Sequence, residues 1–370
     1  MTAGLGGRHV VKGAQGRFLV RLMTYAALLT FSAGPLAAQP GAADGKIRLS
    51  IVGGLANITQ FTKFEQPFWE TEIGKLSNGR ISATIRPFDG GGLRGQEMLQ
   101  LLRLGVVPFG TVLLSLVSAD EPELNAPDLP VLNPDIATLR KTVGAYRQHI
   151  KQILLQRYGI ELLGIYTYPA QVLYCKSAFT GLGDLAGRKV RTSSVSQSEL
   201  MTALGAVPVM VPFANIVPAV RDGVTDCAIT GTLSGYEIGL PKVTTHVHAM
   251  ALNWGLSFFG ANLAAWNAIP TELQHIIRQG VAHLEARIWE QAETDTKRGL
   301  ACNVAVGGTA CAGLPGGGMT LVDSPADEAR RHRLLKDVVL PRWIDRCGEA
   351  CTAAWNTYLA PTHGVKSGAE

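Results

Sequence analysis

Apolar and polar positions alternate over Lys46–Val52, a β-branched-rich stretch that predicts a first strand. Helical spacing follows over Pro67–Leu76 and stops at the turn pair Asn78-Gly79. Arg80–Arg86 reads as a second strand, Asp89-Gly90-Gly91-Gly92 as a loop, Gln96–Leu104 as a helix and Gly110–Val117 as an apolar strand. A proline-rich loop, Pro122–Pro134, precedes a helix from Ile136 to about Tyr158 and a strand over Ile160–Tyr166. The alternation then restarts. Val172–Cys175, Lys189–Arg191, Val207–Val211 and Cys227–Thr230 read as strands, with a short turn at Leu182–Leu185 and helices over Ser196–Leu204 and Ile216–Arg221. The stripe Ile276, Ile277, Gly280, Leu284, Ile288 predicts one long helix from Thr271 to about Arg298. Gly313–Gly318 breaks the pattern. Asp327 to about Tyr358 is helical, with interruptions at Pro341 and near Gly348. Repeated strand-helix-strand units predict an α/β fold with parallel-type sheets. Two such units and a long connecting helix predict two lobes, with a ligand cleft between them.

Composition adds an address. Residues 1–38 hold Arg8, Lys12, Arg17 and Arg21 and no acidic residue; the remainder carries 30 basic against 29 acidic side chains. A nearly neutral body argues against nucleic-acid binding. The basic stretch to Arg21, the apolar run Leu22–Ala33 and the small residues Ala37-Ala38 form the three-part pattern of a secretory signal peptide over 1–38. The apolar run is too short to span a bilayer. The mature chain is expected to start near Gln39, outside the cytosol and not membrane-spanning.

Export changes how the six cysteines read. Cys302 and Cys311 lie nine apart, Cys347 and Cys351 four apart. An oxidising compartment favours disulfides over a metal site. Two local bridges, Cys302–Cys311 and Cys347–Cys351, are expected, with cross-pairing as the alternative. Gly348 could relax a bridge that a regular helix turn would strain. Cys175 and Cys227, on predicted strands, are either buried free thiols or a third bridge.

Catalytic signals are weak. Gly90-Gly91-Gly92-Leu93-Arg94-Gly95 matches G-x-G-x-x-G, but it follows the second strand, and Pro87 and Asp89 intervene. It reads better as a plain loop lining a cleft than as a dinucleotide cradle. Gly231-Thr232-Leu233-Ser234-Gly235 has its serine one place late for a nucleophile elbow. His246 and His248 share a face if extended, with no third metal ligand nearby.

The informative stretch is 182–230. It holds Leu182-Gly183-Asp184-Leu185-Ala186-Gly187-Arg188-Lys189-Val190-Arg191, then Leu204-Gly205-Ala206-Val207-Pro208, then Val220-Arg221-Asp222-Gly223-Val224-Thr225-Asp226. With Asn78-Gly79-Arg80, Asp128-Leu129-Pro130 and Trp266-Asn267-Ala268-Ile269-Pro270-Thr271-Glu272-Leu273-Gln274, these motifs resemble, in order, the DctP-type substrate-binding proteins of TRAP transporters. The resemblance covers about residues 46–345. It implies a two-lobed periplasmic protein that closes on an organic acid and delivers it to the small and large subunits of a membrane permease. It implies no cofactor and no catalytic residue. The same fold could instead present its ligand to a membrane sensor, and an exported enzyme is the remaining alternative.

The resemblance assigns Arg191 to the ligand carboxylate, for which a guanidinium is a planar two-donor fork. It places Phe213 against the ligand body, and Ser194 and Thr230 where relatives often carry Asn. Asn57 and Gln60 follow the first strand, where the first lobe can touch ligand. Tyr166, Tyr168, Tyr174 and Trp254 are further candidates for the pocket wall. Relatives often carry a second Arg near Ala170 or Gln171; here the stretch between Arg157 and Lys176 has no basic residue. One strong charge pair is therefore expected, favouring a monocarboxylate with a sizeable apolar or aromatic body. The expected organisation is lobe I over 44–168 plus about 255–292, and lobe II over 169–254 plus part of 293–325. The lobe-spanning helix occupies 270–298, and C-terminal helices occupy 326–360.

Overall fold

The computed structural model describes residues 45–90, 92–306, 311 and 315–367. The expected signal peptide, 1–38, lies outside them. Eleven strands are described: β1 (Ile47–Gly53), β2 (Ile81–Pro87), β3 (Phe109–Leu113), β4 (Ile160–Thr167), β5 (Gln171–Cys175), β6 (Lys189–Thr192), β7 (Val207–Met210), β8 (Cys227–Gly231), β9 (His246–His248), β10 (Leu256–Asn262) and β11 (Thr320–Val322). They form two sheets. The first has the order β2-β1-β3-β10-β4, the second β11-β9-β5-β8-β6-β7.

The sheets are mixed, which corrects the expectation of parallel-type sheets. β1 pairs parallel with β2 and β3, and β6 with β7 and β8. β10 runs antiparallel to β3 and β4, and β5 antiparallel to β8 and β9. The reason is the double crossing of the chain. β4 leaves the first sheet through Tyr168–Ala170 and becomes β5 in the second; β9 leaves the second through Ala249–Gly255 and returns as β10. A strand entering a lobe from a crossover must oppose the strands that point towards it. β10 is a nearly continuous buried run, the pattern of a central strand rather than of one with a wet face.

The first sheet is covered on both faces. Leu162 and Ile165 of β4 pack on one side with Tyr146, Ile150 and Leu154 of the helix Ile136–Tyr158. Leu163 and Tyr166 point the other way, to Ile277, Val281, Leu284 and Ile288 of the long helix Thr271–Val304. Same-face residues are three apart here because the β4–β10 pairing shifts register between Phe259 and Gly260, a bulge in a strand buried on both faces. The long helix then continues to the second sheet. Trp289 Nε1 donates to Ile165 O at 2.8 Å, and Asn303 Nδ2 to Thr232 O at 2.8 Å, beyond β8.

C-terminal helices straddle both lobes. Trp343 Nε1 donates to Pro122 O at 2.8 Å, while Arg342 donates to Glu199 O at 2.7 Å. Disulfides join Cys302 to Cys311, Cys347 to Cys351, and Cys175 to Cys227. The last pair sits at directly opposed positions of β5 and β8. Between Cys347 and Cys351 the backbone leaves helical geometry at Gly348, with φ +57° and ψ −128°, a conformation glycine adopts without a Cβ penalty.

One carboxylate organises the crossing back. Asp128, fully buried, accepts from the backbone N–H groups of Trp254 (2.8 Å), Gly255 (2.9 Å) and Leu256 (3.2 Å), just where Ala249–Gly255 becomes β10. Burial pushes its pKa up to about 6 despite these bonds. A carboxyl that binds its proton more tightly folded than unfolded lends stability at low pH that is lost as pH rises through about 6. Urea unfolding from pH 4 to 7 should show this falling component, and Asp128→Asn should remove it. Asp128→Ala, which orphans three buried N–H groups, should cost about 2–4 kcal/mol. An unchanged midpoint for the alanine variant would show that the crossover is held by other contacts.

Candidate ligand cleft

The carboxyl ends of β1, β2, β3, β6, β7 and β8 all open on one cavity between the lobes, of about 510 Å³. Ligands of open α/β sheets collect at such ends. The first lobe contributes Leu55, Phe88, Asp89 and the turn Leu93–Glu97, with Leu113, Ser115 and Leu116. The second contributes Gln171, Arg191, Ser193, Thr230, Gly231, Ser234 and the turn Pro212–Ala214. Tyr168 and Gly255, from the two crossovers, form part of its wall.

Leu93, Arg94 and Gly95 of the glycine-rich motif therefore line the cleft. Gly95 is there for close approach: a Cβ on it would sit 2.2 Å from Leu116 Cδ1 and 3.1 Å from Phe88. The carboxylates of Asp89 and Glu97 in the same wall are the wrong charge for a diphosphate.

Arg191 dominates the electrostatics. It is the third residue of β6, paired between Val209 of β7 and Ala228 of β8. Its side chain is gripped by both neighbours: Nε donates to Val211 O at 2.9 Å, and one terminal nitrogen to Ile229 O at 2.7 Å. The residue is only 4% exposed, yet it lines the cleft. Desolvation pushes its pKa down to about 9, so the cation survives at neutral pH. Among the described residues no carboxylate lies within ion-pair distance of it. A buried cation without a counter-ion costs several kcal/mol.

The expected site residues divide. Arg191, Phe213 and Thr230 come together in the cleft, the last two as part of its second-lobe wall. Ser194 does not. It caps the helix Val195–Ala203, its Oγ accepting from Gln197 N at 3.1 Å, as a short hydroxyl before a helix does. Gln60 lines a separate, smaller cavity behind Tyr168 and donates to Glu65 Oε1 at 2.7 Å. Asn57 is exposed in a turn at φ +59° and lines neither cavity. Of the four aromatic candidates only Tyr168 lines the cleft; Tyr166 is core, Tyr174 donates to Thr232 O, and Trp254 donates to Asn133 O. His248 is taken by Asp327 at 3.0 Å.

Sequence reasoning missed Gln171 as a lining residue. Its Oε1 lies 3.5 Å from Gln197 Nε2, which donates at 2.8 Å to Asn253 beside the Asp128 crossover. Asp89 was visible only as a loop residue.

Two lobes joined by two crossovers enclose a cleft whose wall holds, among the described residues, one buried cation. The chain belongs to the DctP family, bacterial extracellular solute-binding protein family 7, which matches residues 57–309. A curated relative, the C4-dicarboxylate-binding periplasmic protein DctP of Rhodobacter capsulatus, is 24% identical over 213 residues, 56% of this chain. The match spans 63% of that relative's length. Among solved structures, DctP7 of Bordetella pertussis, a solute receptor binding pyroglutamic acid, superposes with a TM-score of 0.75 at 22% identity, covering 84% of this chain and 99% of that one. A TRAP periplasmic solute-binding protein of Desulfovibrio salexigens with bound orotic acid gives 0.73 at 15%, covering 86% and 99%. One of Sulfurospirillum deleyianum with bound succinate gives 0.69 at 20%, covering 82% and 96%.

Removing the buried charge should relieve the ligand-free protein. Arg191→Met keeps the stem and drops the guanidinium, and is expected to stabilise it by on the order of 1 kcal/mol. Denaturant unfolding of stripped protein measures this. A loss of stability of that size would mean that the two carbonyl bonds outweigh the desolvation of the charge.

Proposed function

We propose that the chain is the extracytoplasmic receptor of a TRAP-type carrier, capturing an organic acid between its lobes and delivering it to the small and large permease subunits. Arg191 takes the carboxylate. The observation that carries this is a guanidinium buried at 4% exposure in the cleft wall, held by two backbone carbonyls and lacking a counter-ion among the described residues. A ligand carboxylate is the missing partner, and lobe closure strengthens the pair by removing water. The acids bound by the structural relatives, pyroglutamic, orotic and succinic, share that group. Family and fold are those of receptors rather than enzymes.

The ligand is a monocarboxylate with a sizeable body. Arg191 is the one buried cation lining the cleft among the described residues, and Gln171 stands where a second would be expected. Leu55, Phe88, Leu113, Leu116 and Phe213 give that body apolar contact. None of the described helices is long and apolar enough to cross a membrane, which fits delivery to a separate permease.

A thermal-shift screen of mono- and dicarboxylates, keto, aromatic and sugar acids tests the reading on protein refolded to shed carried ligand. A ligand at 100 times its Kd adds about 2.7 kcal/mol of stability. A shift confined to one carboxylate class is expected, and Arg191→Ala should weaken that ligand by about 2–5 kcal/mol. Near-native affinity in the variant removes Arg191 from the site. Succinate binding more tightly than every aromatic or branched monocarboxylate overturns the monocarboxylate assignment.

A further inference from the structure

The two walls of the cleft carry opposite charge. On the second lobe the charged group is Arg191. On the first lobe the wall holds Asp89, Arg94 and Glu97. Arg94 and Glu97 face each other three residues apart, Nε to Oε1 at 3.6 Å, and largely cancel. Asp89 is left over. It makes no ion pair among the described residues, and it is half-buried rather than free in solvent.

Asp89 is also held in place. Its Oδ1 accepts the Ala56 N–H at 2.8 Å, which ties the loop after β2 to the loop after β1. Its Oδ2 makes no hydrogen bond among the described residues. A carboxylate so anchored can only accept. A ligand donor brought against it gains a charge-assisted hydrogen bond, whereas a second ligand carboxylate meets a fixed like charge.

We propose that the cleft selects an acid that carries a hydrogen-bond donor opposite its carboxylate, with the acid on Arg191 of one lobe and the donor on Asp89 of the other. The donor is an N–H of a lactam, amide or ammonium group, or a hydroxyl. Only the closed form satisfies both ends, so a dipolar ligand of this kind is also the one that rewards closure. The proposal rests on the reading of Arg191 as the carboxylate partner.

Matched probes test it by calorimetric titration of the purified, ligand-stripped protein. trans-4-Hydroxycyclohexanecarboxylate carries its hydroxyl across the ring from the carboxylate, and cyclohexanecarboxylate has the same ring without it. 4-Aminobutyrate and pentanoate form a second pair, and succinate supplies a second carboxylate. Each donor-bearing acid is expected to bind roughly tenfold or more tightly than its donor-free twin, with succinate weaker than the donor-bearing acids. Asp89→Asn keeps an oxygen for Ala56 and turns a donor towards the ligand, so it should shrink both ratios towards one. The comparison in the unaltered protein stands even if that variant folds poorly. Twins that bind alike, or succinate binding most tightly, overturn the proposal and leave the carboxylate reading intact. If no acid binds, or if Arg191→Ala binds them as the unaltered protein does, both fall.

Discussion

A guanidinium buried without a counter-ion among the described residues is the constraint around which this molecule is arranged. In water the charge of Arg191 would be solvated at no cost; inside the second lobe its attachments are two backbone carbonyls. One carbonyl is that of Ile229 in β8 and the other that of Val211, the residue that follows β7, so the side chain is held by one neighbouring strand and by the end of the other. A site built on strands is rigid before ligand arrives, and binding then loses little ordering entropy. On the proposed reading, a ligand carboxylate completes the pair and offsets that unfavourable burial.

The two lobes are also tied together at the cleft. Both crossovers pass close to the ligand cleft, through Tyr168 and Gly255. The returning one is clamped by Asp128 over three consecutive backbone amides, which keeps its geometry defined at its junction with β10. Behind it a chain of amides, Asn253 to Gln197 to Gln171, runs from the crossover to the cleft wall. The long helix and the C-terminal helices bridge the lobes on a larger scale. Stability therefore resides in the crossovers and braces, while the cleft keeps its uncompensated charge.

Much of this could be read from the chain. The two α/β units, the long helix and both local disulfides follow from periodicity and cysteine spacing, and the family from an ordered set of short motifs. β10 was invisible because its seven residues show no alternation, being covered on both faces, and short apolar runs do not announce their direction. The mixed sheets were missed with it. Asn57 and Gln60 were placed by proximity to the end of the first strand and Ser194 by the family resemblance, and in each case orientation is what decides. Ser194 turned inward to cap its own helix, Gln60 turned to Glu65, and Asn57 faces solvent.

What the sequence determined by itself is local: which segments are strand or helix, where a strand ends in an arginine, which cysteines are close enough to pair. These depend on neighbours along the chain. What the tertiary structure decided is which of those ends meet. Asp89 lies 102 positions before Arg191. Its loop is one glycine-rich turn among several until two sheets set it across a cleft from a buried cation. The facing of these two groups, each without an ion-pair partner among the described residues, exists only once the lobes fold against their shared crossovers.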